Sequence, residues 1–158
     1  MEVKDAMTPK PKTIKKTDTL EKLLDLMANN KISGCPVVDN NNHVIGIITQ
    51  TDVINIIDVH SKIHKLESDL FTLVLAAIKS EHYDNLREAL KKVMKMQVKN
   101  FMRDKVVTID VNDDLYDAAK MMNRNKVDRL PVTRNKKLVG IITRWDIIKA
   151  LDKLDRRK

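Results

Sequence analysis

Two neighbouring stretches decide the fold: the apolar run Cys35-Pro36-Val37-Val38 and, after a short polar segment, Gly46-Ile47-Ile48-Thr49-Gln50-Thr51-Asp52. Both return about 95 residues later, as Leu130-Pro131-Val132-Thr133 and Gly140-Ile141-Ile142-Thr143-Arg144-Trp145-Asp146. A pattern that recurs in the same order at a fixed spacing indicates a duplicated structural unit. The sequence therefore predicts two copies of one fold unit.

The correspondence extends beyond these blocks to several apolar and polar positions. Equivalent residues are Val3 and Val98, Met7 and Met102, Thr13-Ile14 and Thr108-Ile109, Leu20 and Leu115, and Met27 and Met122. The second copy lacks one residue before Gly140, in a polar connection where a deletion is tolerated best. The chain has only three glycines and four prolines, and the equivalent placement of Gly46 with Gly140 and Pro36 with Pro131 makes a chance match a poor explanation.

The hydrophobic periodicity predicts the elements of each copy. Apolar residues at i, i+3, i+4 and i+7 predict an amphipathic helix in each copy, Leu20, Leu23, Leu24 and Met27 in the first and Leu115, Ala118, Ala119 and Met122 in the second. Asp18 and Asp113 are candidate N-caps. A strand, a polar turn, a second strand and a second helix that begins near Thr49 or Thr143 follow. Each copy is thus predicted as strand, helix, strand, strand, helix.

A segment without a counterpart separates the two copies. Its apolar residues form two helical stripes, one over Ile63, Leu66, Leu70, Leu73, Val74 and Ala77 and the other over Leu86, Ala89, Leu90, Val93 and Met94. We predict a helical hairpin here rather than a flexible tether. The predicted organisation is a first motif at 1–59, a helical insert at 60–95, a second motif at 96–154 and a basic tail at 155–158.

Composition limits the class of protein. Hydrophobic residues make up 42% of the chain, and it has no apolar run long enough to cross a membrane and no signal-peptide pattern at its start. We therefore expect a cytoplasmic protein. The single cysteine, Cys35, lies in an apolar run and is interpreted as a small buried residue rather than as a reactive thiol.

The net charge of +8 is unevenly distributed. Residues 1–59 hold seven Lys and Arg against eight Asp and Glu, whereas residues 101–158 hold fifteen against nine. A basic surface favours nucleic acid, anionic lipid or phosphate-bearing ligands alike, so charge alone does not choose a partner.

The ordered motifs resemble the CBS domain family, named for cystathionine β-synthase, and their duplication resembles a tandem CBS pair, or Bateman module, in a stand-alone CBS-domain protein. The resemblance covers the chain except the insert and the tail. It implies an α/β fold in which two CBS motifs pack sheet to sheet about a pseudo-twofold axis, with two ligand clefts between them. It also implies a homodimer.

In that family the Gly-x-x-Thr-x-x-Asp motif marks a site for adenosyl nucleotides, in which Asp accepts hydrogen bonds from the ribose hydroxyls. The resemblance thus implies one site with Thr143, Asp146, Thr13 and Ile14, and a second with Thr49, Asp52, Thr108 and Ile109. The chemistry is reasonable, because a helix that begins at Thr offers free N–H groups to phosphate. The open alternative is a capping box, in which Thr and Asp only close the helix N-terminus.

The two predicted sites differ in charge. Arg129 and Arg144 accompany the second copy, where the first copy has Gly34 and Gln50. The first site is therefore expected to take AMP, ADP or ATP, and the second a neutral or cationic adenosyl group such as S-adenosylmethionine, or nothing. The alternative for Arg129 is a solvated charge or an ion pair with Asp128.

The leading functional hypothesis is a regulatory module that binds an adenosyl nucleotide as its ligand, requires no cofactor and acts on a protein partner that the sequence does not identify. The alternative is a nucleic-acid-binding or scaffold protein that uses the basic second half. No nucleophile elbow, phosphate loop or carboxylate pair is visible, so we expect no enzyme. No metal site is expected either, because a helix surface explains His60 and His64 better than a ligand pair.

Overall fold

The computed structural model describes residues 1–61 and 84–155. In chain order the elements are α1 (Val3–Ala6), β1 (Thr8–Pro9), α2 (Leu20–Asn30), β2 (Gly34–Val38), β3 (Val44–Thr49), α3 (Gln50–Ser61), α4 (Asp84–Met94), a 3-10 turn (Val98–Asn100), β4 (Ile109–Asp110), α5 (Leu115–Asn125), β5 (Arg129–Arg134), β6 (Lys137–Thr143) and α6 (Arg144–Asp155). The predicted α/β class and the repeated order of elements are confirmed.

The chain divides into two compact units. The first comprises Met1–Ile14, Pro36–Ile47 and Arg103–Lys158, and the second comprises Lys15–Cys35 and Ile48–Met102. Two of the four boundaries fall within β2 and β3, which form a two-stranded sheet. The division into 1–59, 60–95, 96–154 and 155–158 stays a prediction.

A four-stranded sheet in the order β1-β6-β5-β4 organises the first unit. β5 and β6 form an antiparallel hairpin whose turn residues Asn135 and Lys136 have φ of 50° and 66°. β4 is parallel to β5, and β1 is antiparallel to β6. Helices α1, α5 and α6 contribute to the same core, whose buried members are Val3, Ile109, Val111, Leu115, Ala118, Met122, Leu130, Val132, Ile142 and Ala150. This core holds the end of β6 and the start of α6 in place.

The second unit is built around helices. Its buried apolar residues include Leu20, Leu23, Met27, Ile48, Val53, Ile56, Val93 and Val98. Helix α4 coincides with the second apolar stripe of the predicted insert. The first stripe, Ile63 to Ala77, and the basic end of the tail lie outside the described residues. None of the described helices is long and apolar enough to cross a membrane.

The predicted helix caps are wrong by one residue in both copies. Thr19 caps α2 by accepting a hydrogen bond from the Lys22 amide, and Asp114 caps α5 by accepting one from the Tyr116 amide. The predicted caps bind the preceding loops instead: Asp18 accepts from the Lys15 amide and Asp113 from the Asp110 amide. When two polar residues precede a helix, spacing alone does not show which of them is the cap.

Candidate functional site

The two Thr-x-x-Asp motifs adopt the same local structure, in which Thr ends a strand and Asp lies in the first turn of the next helix. In the second copy the carboxylate oxygen Oδ2 of Asp146 accepts hydrogen bonds from the Thr143 amide at 2.9 Å and from its hydroxyl at 2.7 Å. The Asp146 amide donates back to the Thr143 hydroxyl at 3.3 Å. Reciprocal bonds of this kind define a capping box. The capping box that the sequence analysis left open as an alternative is therefore present.

The first copy repeats this geometry closely. Asp52 Oδ2 accepts from the Thr49 amide at 2.8 Å and from its hydroxyl at 2.7 Å, and the Asp52 amide donates to that hydroxyl at 3.4 Å. Both Asp52 and Asp146 are buried, which is unusual for carboxylates. Capping uses one oxygen of each carboxylate, so it does not by itself exclude a ligand at the other oxygen.

The other carboxylate oxygen of Asp146 also has a partner within the protein. Its Oδ1 forms an ion pair with the Lys149 ammonium at 2.8 Å. Burial raises the pKa of Asp146, but the hydrogen bonds from Lys149 and Thr143 more than offset it, so that the pKa is lowered overall. Asp146 is therefore ionised at neutral pH and is held in one orientation by three donors.

Asp146 faces a cavity of about 420 Å³ within the first unit. Besides Asp146, the cavity is lined by Met1, Asp5, Ala6, Lys149, Ala150 and Lys153. Asp146, Lys149 and Lys153 follow one another at i, i+3 and i+7, which places them along one face of α6. We name this space the Asp146 cavity. Sequence reasoning missed both lysines, although their spacing from Asp146 was readable.

The two predicted arginines lie at the same end of the β5–β6 hairpin. Arg129 opens β5 and is the register partner of Thr143. Burial lowers the pKa of Arg129, while the neighbouring Asp128 acts in the opposite direction, and the net shift is downward. Arg144 donates its amide to the Asp128 carbonyl at 3.0 Å and pairs through Nε with the Asp128 carboxylate at 3.1 Å. The Asp128 carboxylate thus pairs with Arg144, and both side chains of that pair are exposed.

Thr13 lines a different cavity, of about 450 Å³, also within the first unit. The other lining residues are Met7, Pro9, Lys10, Pro11, Asn42, Arg134, Leu138 and Val139. We name this space the Thr13 cavity. Its floor is largely apolar, and Lys10 and Arg134 supply two cations. Neither cation was identified from the sequence.

The isoleucines predicted for the sites are core residues. Ile14 bridges Val37 in parallel, with its amide bonded to the Pro36 carbonyl at 3.2 Å, and Ile109 pairs in parallel with Val132. Both side chains are 2% exposed. Only their backbones are therefore suited to contact a ligand. The half-buried Thr108 precedes Ile109, and the predicted grouping of these two residues with Thr49 and Asp52 stays a prediction.

A duplicated strand–helix–strand–strand–helix unit, with a capping aspartate in the first turn of each final helix, defines the class of protein. Comparison with known proteins gives the family. The CBS domain profile matches residues 3–59 and 98–153. The chain belongs to the CBS domain family, as the sequence motifs indicated.

Relatives and solved structures extend this result. Protein MJ1426 of Methanocaldococcus jannaschii is 36% identical over 96% of this chain and 91% of its own length. The crystal structure of CBSX2 in complex with AMP is 24% identical, with a TM-score of 0.71 and coverage of 98% of both chains. The CBS domain pair of MJ0100 in complex with 5′-methylthioadenosine and S-adenosyl-L-methionine is 19% identical, with a TM-score of 0.68 and coverage of 98% of both chains. At these identities the two structures establish a shared fold.

Proposed function

We propose that this protein is a regulatory module that binds an adenosine-containing nucleotide, with Asp146 as the residue that recognises the ribose. The observation that carries the proposal is a buried, ionised carboxylate that is fixed at the start of a helix and lines a cavity. Burying a charge is costly, and capping a helix does not require an acid at this position. A carboxylate that also receives a ligand hydroxyl accounts for both features.

The chemistry of the Asp146 cavity suits such a ligand. A carboxylate is an acceptor-only group, and ribose offers hydroxyl donors. The first turn of α6 adds the positive end of a helix dipole, which favours an anion. Arg129 and Arg144 at the adjacent hairpin end add positive charge in the second copy. These features favour AMP, ADP or ATP over an uncharged nucleoside.

The Thr13 cavity is proposed as the place for the adenine ring of such a ligand or for a second anionic group. Met7, Pro9 and Leu138 provide the apolar surface that a base needs, while Lys10 and Arg134 provide charge. The fold also accommodates adenosine compounds elsewhere in the family, since CBSX2 is in complex with AMP and the MJ0100 pair with 5′-methylthioadenosine and S-adenosyl-L-methionine. The choice for this chain rests on its own residues.

A regulatory module acts through contacts with other protein chains. Helix α6 has an exposed apolar surface that could form such a contact with a second copy of this chain. Trp145, Ile148 and Leu151 are 63%, 53% and 58% exposed and lie at i, i+3 and i+6, on one side of the helix. We name these three residues the α6 stripe. An antiparallel second copy centred on Ile148 would bring Trp145 to Leu151 and Arg144 to Asp152, which are complementary pairs. The chain is accordingly proposed to form a homodimer through this stripe.

Ligand binding is tested with the full chain and a panel of adenosine, AMP, ADP, ATP and S-adenosylmethionine. A ligand that binds only the folded state raises the melting temperature by mass action, and calorimetry then gives the affinity. Asp146→Ala should lower the affinity at least about tenfold, because charge-assisted hydrogen bonds are lost. Thr19→Ala is the control, since it removes the cap of α2, a helix cap outside both predicted sites. Unchanged affinity in a folded Asp146→Ala protein would leave Asp146 with a capping role alone.

A further inference from the structure

We propose that the Asp146 cavity selects an adenosine nucleotide that carries a phosphate ester on the 2′- or 3′-hydroxyl of its ribose, and that Lys149 is the residue that sets this preference. The inference rests on the proposed function, because it takes Asp146 as the carboxylate that receives the ribose. It starts from the number of hydrogen bonds that this carboxylate has left to accept.

The acceptor capacity of Asp146 is nearly filled by the protein itself. Each carboxylate oxygen accepts about two hydrogen bonds. Oδ2 already accepts the Thr143 amide and hydroxyl, and Oδ1 already accepts the Lys149 ammonium. An unmodified ribose presents two neighbouring hydroxyl donors, yet only about one acceptor position remains, at Oδ1. With Lys149 in place, Asp146 therefore receives one ribose hydroxyl and not both.

The Lys149 ammonium determines which chemical group fits at the other ribose position. An ammonium group has three donors and no acceptor, and only one of the three is used by Asp146. The group beside the accepted hydroxyl should therefore be an acceptor, and an anionic one forms the stronger bond. Lys153 lines the same cavity one helical turn further along α6 and adds a second cation. A phosphate monoester meets both requirements.

The two acidic residues of the cavity, Asp146 and Asp5, limit where that phosphate can lie. Asp5 is held in the N-terminal turn, where its carboxylate accepts the Glu2 amide at 3.0 Å. Both Asp5 and Asp146 would repel a phosphate, which is therefore expected to lie further along α6, against Lys149 and Lys153. In the first copy Asn55 and Val59 stand where the second copy has Lys149 and Lys153, so the lysine pair is particular to the second copy.

Calorimetry with four probes tests this preference: adenosine, AMP, adenosine 2′,5′-bisphosphate and adenosine 3′,5′-bisphosphate. One of the bisphosphates should bind the unmodified chain at least about tenfold more tightly than AMP. Lys149→Asn, which installs the first-copy residue, should bring that ratio close to one, because the bisphosphate loses its cation and AMP regains an acceptor position at Asp146 Oδ1. Lys120→Asn removes an exposed lysine of α5 that is not among the residues lining this cavity, and it should leave the ratio unchanged.

The outcomes separate this inference from the proposed function. If AMP binds as tightly as both bisphosphates, the inference fails and nucleotide binding stands. If Lys149→Asn weakens AMP and the bisphosphates equally, the lysine serves the 5′-phosphate and the inference also fails. If neither these four probes nor ADP, ATP and S-adenosylmethionine bind the unmodified chain, the proposed function and this inference fail together.

Discussion

Replacing Asp146 by Asn should destabilise the protein at neutral pH, and this loss should shrink in acid. The substitution keeps the size of the side chain and one acceptor oxygen, so it removes charge without creating a cavity. It weakens the capping box with Thr143 and breaks the ion pair with Lys149. The change therefore isolates what the ionised carboxylate contributes to folding.

The expected loss of stability is estimated from the three groups that donate to the Asp146 carboxylate. Losing a helix cap costs about 1 kcal/mol, and Asn keeps part of that bond. The ion pair contributes at most about 1 kcal/mol, because Lys149 is half exposed and water screens the pair. Asp146→Asn should thus lower the free energy of unfolding by about 1 to 2 kcal/mol near pH 7.

The pH dependence has a definite sign. The pKa of Asp146 in the folded chain is lowered, whereas the pKa of an aspartate in an unfolded chain is about 3.9. A group whose folded pKa is depressed contributes stability that is complete above the unfolded value and is lost as the pH falls through the folded value. The difference between the original chain and Asp146→Asn should therefore be largest above about pH 5 and should shrink as the pH falls below about 4.

Urea denaturation followed by circular dichroism, at several pH values, measures this difference. Because the chain has two compact units, a second probe should confirm that they unfold in one transition. Lys149→Met is the control, since it should lose the ion pair alone, at most about 1 kcal/mol. A difference that is zero near neutral pH, or that does not change on acidification, would refute the assigned role of the carboxylate.

Three further substitutions test other parts of the structure. A Cβ at Gly140 would collide with the Met7 sulfur, so Gly140→Ala should cost about 1 to 3 kcal/mol, and Met7→Ala in the same chain should recover part of that loss in urea denaturation. Ile148→Asp should raise the dissociation constant of the proposed dimer roughly a hundredfold by sedimentation, since two copies of the side chain leave the interface; an unchanged constant would place the dimer elsewhere. Arg129→Ala should weaken AMP binding far more than adenosine binding in calorimetry, whereas equal losses would give Arg129 a packing role.

Much of the fold was predictable because it follows from local pattern. The apolar spacing of Leu20 to Met27 and of Leu115 to Met122 defined two helices, and a polar turn between two short apolar runs defined the hairpin of each copy. The errors occurred where two neighbouring residues compete for one role. Asp18 was predicted to cap a helix, but its carboxylate also binds Lys22, and Thr19 is left to take the cap position. Spacing does not resolve such competition, since it depends on loop geometry.

The candidate site was predictable only in part, for the same physical reason. Thr143 and Asp146 are close in sequence, so a local motif revealed their pairing. Lys10 and Arg134 line one cavity although more than a hundred residues separate them, and only the antiparallel pairing of β1 with β6 brings their segments together. A motif search finds groups held by one turn and misses those joined by a sheet.

The two copies show how duplication permits a site to change while the fold is kept. Thr49 with Asp52 and Thr143 with Asp146 have the same capping geometry within about 0.1 Å, so stability maintains this motif in each copy. The residue three positions after each aspartate is exposed and is not required by the cap, as Asn55 and Lys149 illustrate. Selection can therefore alter that position at little cost in stability, and such positions are where differences in ligand preference between the copies are expected to arise.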